Sequence, residues 1–128
     1  MSFTLNGMDV HNFNDVATAV STGYGFGHAA MADLRDLTGH KRLGDHVRTS
    51  ISSSLQEVGI GHLPSELPNN QSEEVRLYTR GSRIGKIVAA VLHPTYEGDT
   101  LLQDLVADSS DAEGKLKRIR SILNGLDV

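Results

Sequence analysis

Phe13, Val16, Ala17 and Val20 stand at i, i+3, i+4 and i+7, the spacing that gathers apolar side chains on one face of a helix. Asn12 or Asn14 can cap its start, because an Asn side chain accepts a bond from a free backbone N–H. The stretch "STGYGFGHAAMADL", from Ser21 to Leu34, then places glycines at alternate positions 23, 25 and 27. They are expected to end the first helix. A second helix is predicted from about His28 to Thr38, with Ala30, Met31, Leu34 and Leu37 inward. Gly39 follows, where a left-handed residue can close a helix end. In "HKRLGDHVRTSISSSLQEVG" the apolar positions Leu43, Val47, Ile51, Leu55 and Val58 recur every three or four residues, and Gly59 stands at the stop. This third helix is the best defined of the set, and its other side carries Arg48, Thr49, Ser52 and Ser53.

The polar connector "HLPSELPNNQSEE" holds two of the three prolines, which cannot donate to a helix or sheet ladder. "VRLYTR" alternates, with Val75, Leu77 and Thr79 on one side and Arg76, Tyr78 and Arg80 on the other. Gly81-Ser82 reads as a reversal and "RIGKIVAAVL" as the partner strand, giving a β-hairpin with Arg80, Arg83 and Lys86 at its tip. Past Pro94, Leu101, Leu102, Leu105 and Val106 predict a short helix. Leu116, Ile119, Leu123 and Leu126, with Ile122 beside them, predict a longer one. The segment "DSSDAEG" between them reads as a linker.

A chain of 128 residues is sized for one core that buries roughly two-thirds of the unfolded surface. With only 5% aromatic residues and no Trp, that core must rest on Leu, Ile, Val and Ala. The absence of Cys excludes disulfides, thiol nucleophiles and thiolate zinc sites. "MSFTLNGMDV" lacks a basic stretch followed by an apolar run, so no signal peptide is expected. No apolar run approaches the ~20 residues needed to cross a bilayer. A cytoplasmic protein without membrane contact is the expectation. The net charge of −4 is spread along the chain: residues 1–60 carry four Lys or Arg against six Asp or Glu, 61–97 four against four, and 98–128 four against six. Any basic face must therefore be assembled by folding.

A phosphate-binding glycine loop needs a strand before it and a helix after it, so that backbone N–H groups converge on the anion. "GYGFGH" follows helical periodicity, lacks the Lys and Ser/Thr of a Walker loop and does not match GxGxxG. A helix–helix joint is the simpler reading, with Tyr24 and Phe26 either covering the core or meeting a partner. The stretch "MADLRDLTGHKRLGDHVRTSISSSLQEVGI", by contrast, sets a helix, a Gly-containing turn and a longer amphipathic helix in succession. That is the helix-turn-helix arrangement, whose second helix can enter the major groove.

With its cationic hairpin the chain resembles bacterial winged helix-turn-helix domains over roughly Phe13 to Leu92. "KRLG" is similar in part to the basic turn of small winged modules from bacterial and phage accessory proteins. The expected fold is α+β and winged-helix-like, with three N-terminal helices, a β-hairpin wing and additional C-terminal helices. Residues 1–97 would form that domain and 98–128 a helical extension. The resemblance implies a small DNA-binding regulatory or accessory protein of phage or mobile-element association. It assigns Lys41, Arg42, Arg48, Thr49 and Ser52 to the third helix and its preceding turn, and Arg80, Arg83 and Lys86 to the wing. Six phosphate contacts would give a salt slope of roughly −5. The alternative is a non-enzymatic adaptor or inhibitor that grips another protein through Tyr24, Phe26 and Tyr78. The last apolar stripe either folds back on the domain or meets a second copy in a homodimer.

Other chemistry is disfavoured. None of the six histidines is paired at HExxH spacing, and although His40 and His46 could meet across the turn, no metal is expected. "TSISSSL" lacks the GxSxG elbow that presents a nucleophilic Ser, and Glu73 and Glu74, adjacent on an extended segment, point to opposite sides. Neither catalytic residues nor a cofactor are therefore expected.

Overall fold

The computed structural model describes residues 2–107. The chain is α+β. Two short strands open it, β1 (Phe3–Leu5) and β2 (Met8–Val10), followed by α1 (Phe13–Thr22), β3 (Phe26–Ala30), α2 (Met31–Leu37) and α3 (Asp45–Glu57). Then come β4 (Ile60–Leu63), β5 (Glu74–Thr79) and α4 (Arg83–Leu92). A fifth helix, α5, runs over residues 96–107. The chain divides into two compact units, the first Met1–Lys86 and the second beginning at Ile87. The stripe predicted over Leu116 to Leu126 lies outside the described residues.

Strands β1 and β2 pair antiparallel with Leu5 opposite Met8, which leaves Asn6-Gly7 as a two-residue turn. Both turn residues have positive φ, 51° and 78°, the geometry that matches strand twist and selects Asn-Gly. Leu5 and Val10 are buried in the core. In the second sheet β5 lies between β3 and β4, antiparallel to both. Its buried Val75 and Leu77 confirm the alternation expected of "VRLYTR".

Three expectations need correction. First, the N-terminal helices are not a run of three: β1 and β2 precede α1, and β3 separates α1 from α2. The predicted helix from His28 starts at Met31, because residues 26–30 pair along β5 from Phe26↔Tyr78 to Ala30↔Glu74. Gly27 and Ala29 point inward there and Ala29 joins the core. Second, the glycines join a helix to a strand, not two helices.

Third, the hairpin of "VRLYTR" with "RIGKIVAAVL" does not form. β5 already has a partner on each side, and the second segment is α4. Ile84, Ile87, Val88 and Val91 follow the helical spacing i, i+3, i+4 and i+7, and Ser82 caps the start by accepting a bond from the Gly85 N–H at 3.1 Å.

α1 and α3 follow the predicted pattern closely. Asn12 accepts from the Asp15 N–H at 2.8 Å, and Val16, Ala19 and Val20 are buried. α3 buries Val47, Ile51 and Leu55 and ends before Gly59, whose φ of +77° turns the chain straight into β4. The core of the first unit is built of Leu, Val, Ile, Ala and Met, including Leu5, Met31, Leu34, Ile51, Leu55 and Leu77.

Within the second unit, α5 is capped by Thr95, whose Oγ1 accepts from the Gly98 N–H at 2.9 Å. No helix among the described residues is long and apolar enough to cross a membrane.

Candidate functional site

The turn between α2 and α3 carries Lys41 and Arg42, both exposed. His40 and His46 flank them and meet edge to face, their ring centroids 6.5 Å apart. α3 then turns its polar side outward: Asp45, His46, Thr49, Ser53, Gln56 and Glu57 are exposed. Thr49 donates its hydroxyl to the Asp45 carbonyl at 3.0 Å.

Arg48, expected to reach outward, folds against the loop after β4. Its Nη1 donates to the Leu67 carbonyl at 3.0 Å, its Nη2 is bound to the Asp45 carboxylate, and its Nε is buried without a partner. Two of its donors are thus committed within the protein.

The remaining cations of the expected surface lie elsewhere. The Arg80 N–H donates to the Gly59 carbonyl at 2.9 Å, which sets Arg80 at the C-terminal end of α3. Arg83 and Lys86 follow on the first turn of α4, exposed. Lys41 and Arg42 precede the other end of α3, and a 13-residue helix spans about 20 Å. The cations expected on one face therefore form two groups, one at each end of α3. Arg76, which the sequence did not single out, is 3.6 Å from Glu74, and His28 is 3.1 Å from the same carboxylate oxygen.

Of the aromatic residues expected to grip a partner, Tyr24 is 96% exposed while Phe26 and Tyr78 are partly buried. The Tyr78 ring lies over Gly61, its cross-strand neighbour, where a Cβ would collide with it.

Between α3 and the loop following β4 lies a cavity of about 440 Å³, lined by Arg48, Thr49, Ser52, His62, Ser65 and Glu66 among others. Ser52 and His62 meet at its wall, Oγ to Nε2 at 2.9 Å, and His62 Nδ1 is 2.8 Å from the Pro64 carbonyl. A carbonyl only accepts, so Nδ1 carries the proton and Nε2, in the neutral ring, accepts from the Ser52 hydroxyl.

The pair follows from the rise of each element. Ser52 precedes Gly59 by seven residues and His62 follows it by three. At about 1.5 Å per helical residue and 3.3 Å per strand residue, both lie roughly 10 Å from the turn. The Gly59 stop is legible in the sequence, but His62 and Leu63 of β4 fall in the segment expected as a polar connector, where nothing local marks a strand.

The first turn of α2 holds one perturbed group. Burial pushes the Asp33 carboxyl above its ordinary value, Asp36 adds to the rise, and Arg35 opposes it.

Among the described residues, no group of three or more metal-ligating side chains comes together. No protein-family model matches the chain, and no match emerges among curated proteins or solved structures.

Proposed function

We propose that the first unit is a winged-helix-type DNA-binding module of a regulatory or accessory protein, with α3 as the groove-entering element. The observation that carries this reading is the succession α1–β3–α2–α3–β4–β5, with β5 between the other two strands. In it, a helix-turn-helix is followed by a strand pair whose long connection, residues 64–73, stands where a wing would. That connection replaces the hairpin expected after β5. The outward row His46, Thr49, Ser53 and Gln56 follows i, i+3, i+7 and i+10 along α3. Gln can pair with adenine through two bonds, and hydroxyls bond to bases or phosphates. Lys41 and Arg42 supply the phosphate contacts, while Arg80, Arg83 and Lys86 lie outside this footprint.

A second reading draws on the charge of the wing. Residues 64–73 contain Glu66 and Glu73 and no Lys or Arg, which disfavours phosphate and suits a protein partner; the scaffold would then serve as an adaptor or inhibitor.

Fluorescence anisotropy with random duplex DNA at low and moderate salt separates the two. DNA binding predicts salt-sensitive association that is weakened by Lys41→Ala/Arg42→Ala and unchanged by Arg80→Ala/Arg83→Ala. No association at low salt overturns it. A partner retained through nuclease and high salt supports the second reading.

A further inference from the structure

We infer that the cavity beside α3 is an acyl-transfer site, with Ser52 as nucleophile and His62 as its general base, acting on small uncharged or cationic carboxylic esters. The inference does not rest on DNA binding, although Thr49 of the outward row also lines the cavity.

The geometry meets the conditions a nucleophilic hydroxyl requires. Ser52 Oγ and His62 Nε2 are within proton-transfer distance at 2.9 Å. The Pro64 carbonyl, 2.8 Å from Nδ1, fixes the tautomer that leaves Nε2 able to take the proton. It fills the orienting place a carboxylate holds in a Ser-His-Asp triad. Both side chains line an open cavity of about 440 Å³, within the range of pockets that enclose small molecules.

Arg48 precedes Ser52 by one helical turn and lines the same cavity. Residues four apart on a helix are neighbours, so its guanidinium, held by the Asp45 carboxylate and the Leu67 carbonyl, lies on the Ser52 side of the cavity, the side on which a developing oxyanion needs a donor. The Glu66 carboxylate on the cavity wall repels an anionic acyl group and favours a neutral or ammonium-bearing one, while Asp45 is paired with Arg48.

The steps balance without a further reagent other than water. Ser52 Oγ forms a bond to the ester carbonyl carbon, its proton passes to His62 Nε2, and the carbonyl electron pair moves onto oxygen beside Arg48. Collapse expels the alcohol, which takes the proton back from Nε2 and leaves acyl-Ser52. Water then attacks the acyl carbon, giving its proton to Nε2. The carboxylic acid departs as Ser52 Oγ recovers that proton.

The test uses the full chain with a fluorophosphonate probe, which captures activated serine hydroxyls, and with p-nitrophenyl acetate as a neutral ester. One adduct per chain is expected, mapped by peptide mass spectrometry to Ser52. His62→Gln should lower the labelling rate by at least about 100-fold, the low end of general-base contributions. Ser54→Ala, altering a neighbouring serine outside the cavity lining, should label like the parent.

The mapped position in the unaltered protein decides the matter even if a variant fails to fold. An adduct absent from Ser52, spread over Ser50, Ser53 and Ser54, or formed at the same rate in folded His62→Gln overturns the inference. Labelling at high salt without nucleic acid keeps this outcome separate from any result on DNA binding.

Discussion

The side-chain amide of Asn6 occupies the space where a Cβ on Gly23 would stand. From there its Nδ2 donates to the carbonyls of Ala19 and Phe26, each at 2.9 Å, joining the β1–β2 turn to the end of α1 and the start of β3. Gly23 has an ordinary φ of −96°, so space rather than backbone conformation demands glycine there. Gly23→Ala is expected to destabilise the protein by about 1–3 kcal/mol, the usual cost of overpacking. Asn6→Ala, which strips two carbonyls of their donor, should cost about 1–3 kcal/mol as well. The double variant should cost less than the sum by the part of the clash that Asn6 makes, the Phe26 carbonyl at 2.5 Å from the added Cβ remaining in both. Urea unfolding of the three variants checks this, and strictly additive losses would contradict it.

Ser82 joins β5 to α4, donating its hydroxyl to the Thr79 carbonyl at 2.6 Å while accepting from Gly85 N–H. Ser82→Ala should therefore lower stability by about 1 kcal/mol, the typical worth of a helix N-cap. Ser82→Asp should retain most of it. Equal losses from the two replacements would indicate that the hydroxyl does not cap α4.

Asp33 makes stability depend on acidity in a defined sense. Its folded-state pKa lies above the ordinary 3.8, so the folded protein holds this proton more tightly than the unfolded chain does. The stabilisation from that proton is complete below 3.8 and lost as pH rises through the raised value. At neutral pH the partly desolvated charge is a net cost. Asp33→Asn should raise the melting temperature at pH 7 relative to the parent, and the gain should shrink as pH falls toward 3.5. Thermal scans across this range decide it; a gain independent of pH would refute the assignment.

The division of the cations sets the expected salt response of any DNA complex. Two phosphate contacts from Lys41 and Arg42 give a slope of log K against log salt near −2, whereas six would give roughly −5. Anisotropy titrations at several salt concentrations distinguish them. A slope near −5 would mean that Arg80, Arg83 and Lys86 reach the same duplex.

Much of the local structure was legible because it is written in neighbouring residues. The faces of α1 and α3, the Asn12 cap, the Gly39 and Gly59 stops and the alternation of β5 all depend on spacings within a turn or a strand. The Asn6-Gly7 hairpin was also there to read, in a two-residue turn between alternating apolar positions. Ile84, Ile87, Val88 and Val91 held the helical period that their β-branched character obscured.

What the sequence by itself determined is where helices start and stop and which face of each is apolar, since those follow from backbone geometry over a few residues. Only tertiary structure decided that β5 would lie between two strands distant in the chain, with Ala29 turned into the core as part of β3. It likewise separated Arg80 from Lys41 by the length of α3. Those outcomes depend on which buried surfaces fit together and which backbone groups find partners across long loops, and no local spacing encodes either.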